Sequence, residues 1–587
     1  MKLSDAVYKN LNKIHWDRRP WQTGYRGPPL AQQKATGRPH IPIHPNAVTH
    51  LRHQFAREYQ VMRYLASPYL EKNKEEPFIR RFGNIQEVAE KTKEEVKLSS
   101  MPGDPKFINE HGEAYKAYAN YGNLMHKHRT VEDSIMPVAD AVKRAISGRK
   151  FNSLVTETFD LALKQESEAT SKGIQPFTFV AKDNFAVRNV NMTCASRMLE
   201  DFRAPYTATI IQKLIDKGGC LIGKANMDAF GMGSTSSHSY FGPVKSSLSE
   251  ESNLEKDWRV AGGSSGGSAV AVHLGLADLG LGSDTGGSTR NPAAFHGIFG
   301  FKPSYGTLSR HGLVPLANSF DVPAILTRSV RDCLRFYDMM CGVDPNDSTS
   351  ISPLPRKQID LKKIKIGIPR EYAHPVLSGN TVSIWNKAAN LLQAAGCEVI
   401  DVELPHTEYS IVCYHILAET DIASNMARFD GISFGYRNKN ITSSFNDVLA
   451  YSRTDSLNDT IRRRIFVGNY YNVRENKGKY FQQAAKLRRL IKMDFDEVFK
   501  KVDALLTPVT SHSVPLYSEV EAVKFKQRQR LDDYFTQPAN MAGLPAISVP
   551  FGHCNDGFPI GLQIICNYLE DYKCLDLAET LYKLENK

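Results

Sequence analysis

Two serine-glycine segments contain the residues best suited to chemistry. Residues 261–270 read AGGSSGGSAV, and residues 282–290 read GSDTGGSTR. Glycine permits positive φ angles and close approach of other groups, and a run of accessible backbone N–H groups forms an anion-binding loop. An oxyanion hole requires such a loop. The two segments therefore predict acyl-transfer chemistry, with Ser264 and Ser288 as the serines of interest.

A lysine upstream of both segments is a candidate base. The apolar run at residues 177–181 predicts a short buried strand, and Lys182 follows it, directly before the turn-prone pair Asp183 and Asn184. Lysines at strand ends are usually solvated, but a desolvated lysine has a lowered pKa and can act as a neutral general base. Ser–Lys pairs are a variant of the serine-nucleophile scheme.

The elements that must position these residues are also predictable. Residues 268–275 are small and mostly apolar, which predicts a buried helix that fixes the serine loop ahead of it. Two alternatives for the loops are a flexible linker and a phosphate-binding loop. A linker is disfavoured because apolar helix and strand patterns flank both segments. A phosphate loop is disfavoured because the G-x-x-x-x-G-K-[ST] and G-x-G-x-x-G spacings are missing.

Together, Lys182 and the two serine-glycine segments resemble the amidase signature family of serine hydrolases. The resemblance implies a Ser-Ser-Lys triad in which Ser288 is the acyl-forming nucleophile. Ser264, typically on a cis peptide, would relay the proton to Lys182 as the base. The resemblance places the oxyanion hole at the backbone amides of Thr285, Gly286, Gly287 and Ser288.

Downstream segments resemble one branch of this family, the glutaminase subunits of tRNA-dependent amidotransferases. The matching segments are residues 300–314, 409–415, 423–431, 462–468 and 532–545. The resemblance implies that Arg464 binds the α-carboxylate of glutamine, that Asp533 binds its α-ammonium group, and that Tyr414 lies nearby. A guanidinium fork suits a carboxylate, and a carboxylate suits an ammonium group. Each of these charges, taken alone, would instead indicate a surface ion pair.

The same resemblance implies a set of partners. Ammonia would pass to a B-type amidotransferase subunit in a complex that also holds a C-type subunit, and Glu-tRNA(Gln) would bind mainly through the partner. ATP and Mg²⁺ are expected in that partner, and no cofactor or metal is expected in this chain. Nine scattered cysteines without a C-x-x-C pair favour a reduced compartment and give no zinc site.

Length and pattern indicate an α/β protein. The chain has 587 residues, of which 41% are hydrophobic, and short apolar strands alternate with helical segments. This pattern predicts a mixed or parallel sheet covered by helices on both faces. The family resemblance implies one large domain of this kind, here residues 126–587, with a central mixed sheet. No apolar run reaches about 18 residues, so no membrane span is expected.

Residues 1–125 are predicted to be a basic N-terminal extension of uncertain structure. The first 100 residues hold 18 Lys and Arg against 10 Asp and Glu, which places +8 of the net +11 there. Residues 47–72 have a helical pattern. A mitochondrial transit peptide, an RNA-contacting arm, a solvated tail and a fused segment all remain open. Residues 409–415 and 423–431 resemble the mitochondrial branch of those glutaminase subunits, and this resemblance implies location in the mitochondrial matrix.

Three functions therefore compete. The first is the glutaminase subunit of a Glu-tRNA(Gln) amidotransferase, and the second is a free-standing amidase acting on other small or fatty amides. Arg464 and Asp533 favour the first, because a pocket for a lipid or aryl amide has no use for a charged clamp. The third is an RNA- or ribosome-associated binder, which an intact triad disfavours.

Overall fold

The computed structural model of the chain describes residues 137–439 and 444–586, and of residues 523–532 only the backbone. The predicted extension, its helical segment at residues 47–72 and the domain boundary near residue 125 lie outside these residues.

An eleven-stranded mixed sheet forms the centre of the protein, in the order β1-β3-β2-β4-β6-β5-β10-β11-β9-β7-β8. The strands are β1 Leu154–Glu157, β2 Phe177–Lys182, β3 Gly219–Ala225, β4 Leu279–Asp284, β5 Phe299–Lys302, β6 Val322–Thr327, β7 Lys365–Pro369, β8 Glu398–Val402, β9 Ala504–Pro508, β10 Ala546–His553 and β11 Pro559–Cys566. Strands β3, β2 and β4 are mutually parallel, as are β8, β7 and β9, and antiparallel pairs join the two groups.

The described residues also form α-helices, several of which pack against this sheet. They are α1 Val138–Ser147, α2 Phe159–Ser171, α3 Thr209–Asp216, α4 Gly266–His273, α5 Arg290–His296, α6 Val330–Met340, α7 Gly379–Ala394, α8 Ser410–Met426, α9 Phe445–Ser456, α10 Asp459–Asn472, α11 Arg474–Lys477, α12 Phe481–Val498, α13 Tyr517–Glu521, α14 Val523–Ala542 and α15 Asp571–Glu585. Side chains at the N-caps accept backbone N–H groups at the starts of α6, α7, α9 and α10, namely those of Ser329, Ser378, Ser444 and Asn458.

The burial of the strands explains the sequence pattern. All residues of β2, β3 and β4 are buried, as expected for strands covered on both faces, and so they read as runs of apolar and small residues. The predicted α/β class with helices around a mixed sheet is confirmed. The strand expected at residues 177–181 and the helix expected at residues 268–275 are present as β2 and α4. Within the described ranges, none of the helices combines the length and the apolar character needed to cross a membrane.

The register of two parallel strands brings the predicted chemistry together. Phe179 of β2 pairs with Leu279 of β4, and Ala181 pairs with Leu281. Because the two strands run in the same direction, their carboxyl ends meet at one edge of the sheet. Lys182 ends β2, and the second serine-glycine segment begins in the last residues of β4 and continues beyond it, so both lie at this edge.

Candidate active site

Lys182 lies at the centre of the site, where serine side chains surround its amine. The side chain is fully buried, and its Nζ atom is 2.8 Å from Ser264 Oγ, 2.8 Å from Ser265 Oγ and 2.9 Å from Ser283 Oγ. The structure thus brings Lys182 and Ser264 into direct hydrogen-bond contact. Their separation along the chain is 82 positions. The contact with Ser283, which lies in β4, depends on the parallel pairing of β2 with β4.

Burial favours the neutral form of this lysine. Loss of solvation lowers the pKa of Lys182 to about 7, although the charges of Asp228, Asp284 and Asp321 act in the opposite direction. Among the described residues, no carboxylate forms an ion pair with the amine. A large fraction of Lys182 is therefore neutral near pH 7 and can accept a proton from a neighbouring hydroxyl.

The first serine-glycine segment is held rigidly ahead of α4. The Gly263–Ser264 peptide bond is cis. Ser236 Oγ accepts the Gly266 N–H at 3.0 Å and donates to the Ser264 carbonyl at 3.3 Å. A Cβ atom at Gly263 would lie 2.4 Å from Asp228 Oδ2, so only glycine fits there. These contacts fix the backbone that presents the Ser264 hydroxyl to Lys182.

The second segment wraps around the carboxylate of Asp284. Its oxygens accept the backbone N–H groups of Gly287 at 2.9 Å and Thr289 at 3.2 Å. The Gly287 amide, which is also predicted to line the oxyanion hole, thus has an acceptor within the protein in this structure. Within the described part of the chain, the amides of Thr285, Gly286 and Ser288 donate to no protein group, so these three are available to an oxyanion.

Ser288 is the accessible residue of this loop. It is half-buried, whereas every other residue from 281 to 290 is buried. Its carbonyl accepts the Ser265 N–H at 3.0 Å, which ties the two serine-glycine segments together. A substrate can therefore reach the Ser288 side chain while the backbone around it stays fixed.

A buried ion pair anchors the loop to the C-terminal part of the fold. Arg290 Nη2 lies 2.9 Å from Asp284 Oδ1, and both side chains are fully buried. Arg290 also donates to the Thr536 carbonyl at 3.0 Å and to Gln563 Oε1 at 3.1 Å. Asn540 Nδ2 donates to Asp284 Oδ1 at 2.9 Å. The Arg290 charge, with these hydrogen bonds, holds the pKa of Asp284 well below its usual range despite burial.

The predicted glutamine pocket adjoins this loop through Tyr414 of α8. A Cβ atom at Gly286 would lie 3.0 Å from the Tyr414 hydroxyl oxygen, so the ring packs directly on the loop. Burial raises the pKa of Tyr414, the charge of Arg464 lowers it and the charge of Asp533 raises it. The structure thus places Arg464 of α10 and Asp533 of α14 within electrostatic range of Tyr414.

Close packing of α8 against α10 positions Arg464. A Cβ atom at Gly468 would lie 1.9 Å from the Glu419 carbonyl oxygen, so the two helices can cross this closely only with glycine at that position. Arg464 lies one turn earlier on the same face of α10, and its side chain is 16% exposed. It therefore points toward α8 rather than into solvent.

Some residues of the site were not singled out from the sequence. Ser265 and Ser283 form hydrogen bonds with Lys182. Both lie inside the two serine-glycine segments, and that location was the only signal in the sequence that could have found them. Asp321 is a carboxylate that accepts the Thr285 hydroxyl at 2.7 Å and the Leu316 N–H at 2.8 Å. Burial raises the pKa of Asp321 to about 6. It supports the first residue of the oxyanion loop, and the sequence around it carries no motif.

Comparisons with known proteins agree with this geometry. The family model for the amidase family matches residues 138–575. The A-type subunit of the mitochondrial glutamyl-tRNA(Gln) amidotransferase of Xenopus laevis is 48% identical over 456 residues, which cover 73% of this chain and 87% of the relative. The human protein of the same name is 45% identical over 461 residues, or 74% of this chain and 87% of the relative.

A solved structure gives the same result. The crystal structure of the A-type subunit of glutamyl-tRNA(Gln) amidotransferase from Thermotoga maritima matches with a TM-score of 0.57 and 30% identity, over 76% of this chain and 94% of that protein. The fold, the buried Lys182 with its serine contacts and these similarities lead to one conclusion: the chain belongs to the amidase family, within the group of A-type subunits of glutamyl-tRNA(Gln) amidotransferases.

Proposed function

We propose that this chain is the glutaminase subunit of a Glu-tRNA(Gln) amidotransferase, which hydrolyses glutamine and supplies the ammonia. The observation that carries the proposal is the buried Lys182 amine, held 2.8 Å from Ser264 Oγ, beside a loop whose amides at residues 285, 286 and 288 have no acceptor among the described residues and whose Ser288 is accessible. The similarity to the A-type subunits of mitochondrial amidotransferases supports glutamine as the substrate.

Acylation begins at Ser288. Its Oγ atom attacks the side-chain amide carbon of glutamine, and its proton passes to Ser264, which in turn gives a proton to neutral Lys182. The developing oxyanion accepts hydrogen bonds from the backbone amides of Thr285, Gly286 and Ser288. Fixed donors in a water-poor site stabilise this charge without having to reorient, which is why a preorganised loop accelerates the step.

The same path returns the proton. Protonated Lys182 gives a proton back through Ser264 to the departing nitrogen, so that ammonia leaves and the glutamyl ester of Ser288 remains. Water then attacks the ester and gives a proton through Ser264 to Lys182, and the same proton returns through Ser264 to Ser288 Oγ as glutamate leaves. Ser265 and Ser283 keep the lysine amine in place in both protonation states, because a hydroxyl can donate or accept a hydrogen bond.

The charged pocket selects the substrate. Arg464 would bind the α-carboxylate of glutamine, Asp533 its α-ammonium group, and Tyr414 would line the space between them and the loop. A site built for charged groups rejects ligands without them, because its own charges would be left unpaired. A free-standing amidase for fatty or aryl amides would lose activity by carrying such a clamp.

The proposal includes partners and a location. Ammonia would pass to a B-type subunit that binds Glu-tRNA(Gln) and uses ATP and Mg²⁺ to activate it, with a C-type subunit in the same complex. Location in the mitochondrial matrix is supported by relatives named as mitochondrial. This chain itself would need no cofactor, since the triad supplies both the nucleophile and the base.

The test compares variants in the complex recovered with the full-length tagged chain. Ser288→Ala should reduce glutamine hydrolysis and glutamine-dependent formation of Gln-tRNA(Gln) by at least about 10³-fold, because the nucleophile is lost. Supply of free ammonium should restore Gln-tRNA(Gln) formation if only the glutaminase is lost. Wild-type hydrolysis by Ser288→Ala would refute the nucleophile. An unchanged KM for glutamine in Arg464→Met, with altered turnover of a fatty amide, would favour the free-standing amidase.

A further inference from the structure

A second carboxylate, Glu419, lies beside the predicted glutamine clamp. Glu419 Oε1 is 3.9 Å from Arg464 Nε, and the two side chains are only 13% and 16% exposed. No step of the proposed reaction uses Glu419. A carboxylate this close to a guanidinium that must bind a second carboxylate bears directly on how strongly that substrate binds.

The backbone holds the two residues together. Glu419 belongs to α8 and Arg464 to α10, and the crossing at Gly468 brings α10 against the Glu419 carbonyl. Any Cβ atom at Gly468 would overlap that oxygen, so the helices cross at their closest practical distance. The side chains are therefore neighbours because of the fold, whether or not substrate is present.

The pair is a contact between charges and not a tight hydrogen bond. Charged N–H···O hydrogen bonds normally measure about 2.7–2.9 Å, well below the 3.9 Å observed here. A guanidinium has five N–H donors, and a contact of this length leaves them available to a substrate carboxylate. On its other side, Glu419 Oε1 lies 3.5 Å from Nδ1 of His415, one turn earlier on α8. Glu419 thus has a second nitrogen partner that does not depend on Arg464.

We propose that Glu419 is the resident counter-ion of Arg464 in the empty pocket and that it competes with the α-carboxylate of glutamine. This inference rests on the proposed function, which assigns Arg464 to that carboxylate. When glutamine is absent, Glu419 neutralises a cation that is largely withdrawn from water. When glutamine binds, its carboxylate takes the guanidinium, and Glu419 keeps its contact with His415. The competition weakens glutamine binding and so sets a higher KM.

The sign of the effect distinguishes this role from a merely structural one. In Glu419→Gln the guanidinium loses its counter-ion, and the α-carboxylate becomes its principal anionic partner. The KM for glutamine should fall by about threefold to tenfold, the range expected for one partly screened charge pair, and the effect should appear in KM and not in kcat. A structural defect would instead raise KM or lower kcat.

The measurement is steady-state glutamine hydrolysis by the complex recovered with the tagged full-length chain. Glu475→Gln is the matched control, since it removes the same charge from an exposed position on α11 and should leave KM unchanged. Thermal unfolding gives a second readout. Glutamine should raise the melting temperature of Glu419→Gln more than that of the wild type, because the substrate replaces a missing counter-ion.

Two outcomes would overturn the inference, and they separate it from the proposed function. If Arg464→Met raises KM for glutamine at least about tenfold while Glu419→Gln leaves KM unchanged or raises it, the clamp stands and the counter-ion role is refuted. If Arg464→Met leaves KM unchanged, the clamp itself is wrong and the counter-ion role is overturned with it.

Discussion

The buried Lys182 makes the stability of this protein depend on pH in a direction that can be worked out. Its pKa is about 7 in the folded protein against 10.5 in the unfolded chain. Between these values the unfolded chain binds more protons than the folded protein, so stability rises with pH. The lowered pKa costs about 4 kcal/mol at pH 7 but only about 2 kcal/mol at pH 9, a change of about 2 kcal/mol.

Lys182→Met isolates this change. The substitution also breaks the hydrogen bonds to three serine hydroxyls, but those losses are the same at both pH values and cancel when the pH values are compared. Urea denaturation followed by fluorescence at pH 7 and pH 9 gives the free energy of unfolding of each protein. The stability of the wild type relative to Lys182→Met should increase by about 2 kcal/mol between the two.

The control is Lys143→Met, which removes a lysine whose side chain is 77% exposed. Its difference from the wild type should be the same at pH 7 and pH 9. An equally constant difference for Lys182→Met would mean that the folded protein does not hold Lys182 with a lowered pKa. The reasoning that makes this lysine a neutral base would then be wrong, whatever the activity of the variant.

Three further predictions concern the packing around the site. Gly468→Ala should raise the KM for glutamine and lower the melting temperature, because the added methyl group overlaps the Glu419 carbonyl. The free energy of unfolding should fall by about 1–3 kcal/mol. Unchanged kinetics would show that the helix crossing tolerates a side chain. Asp284→Asn should lower the free energy of unfolding, measured by urea denaturation, by about 3–5 kcal/mol, because it leaves the buried Arg290 charge without its partner. A decrease below about 1 kcal/mol would contradict the anchoring role. Asp321→Asn should lower kcat by about tenfold with little change in KM, since Thr285 of the predicted oxyanion loop loses the charged carboxylate that accepts its hydroxyl. A change confined to KM would place Asp321 in the substrate pocket instead.

Features set by short stretches of chain could be predicted from the sequence. The apolar run before Lys182 forms β2, and Ser264, Ser265 and Ser283 of the two segments lie in hydrogen-bond contact with the lysine. The engagement of the Gly287 amide also had a local signal. Asp284 lies three positions before it, the spacing at which a carboxylate caps a backbone N–H.

Contacts between distant parts of the chain could not be predicted in this way. Arg290 meets Asn540 across 250 positions, and no local pattern distinguishes it from an arginine on a helix surface. Glu419 reads as an ordinary helix residue, and its position beside Arg464 depends on the angle at which α8 and α10 cross. The contact of Asp321 with the Thr285 hydroxyl could not be predicted either, because only the folded chain brings the two residues together.

The anchoring of the oxyanion loop to Thr536, Asn540 and Gln563 has a consequence for the order in which the protein is made. All three triad residues lie within the first 288 positions, about half of the chain. The side chains and carbonyl that fix Arg290 and Asp284 leave the ribosome only much later. We therefore expect that a growing chain carries the predicted nucleophile through half of its synthesis and that glutamine hydrolysis begins only after Gln563, in β11, has been added.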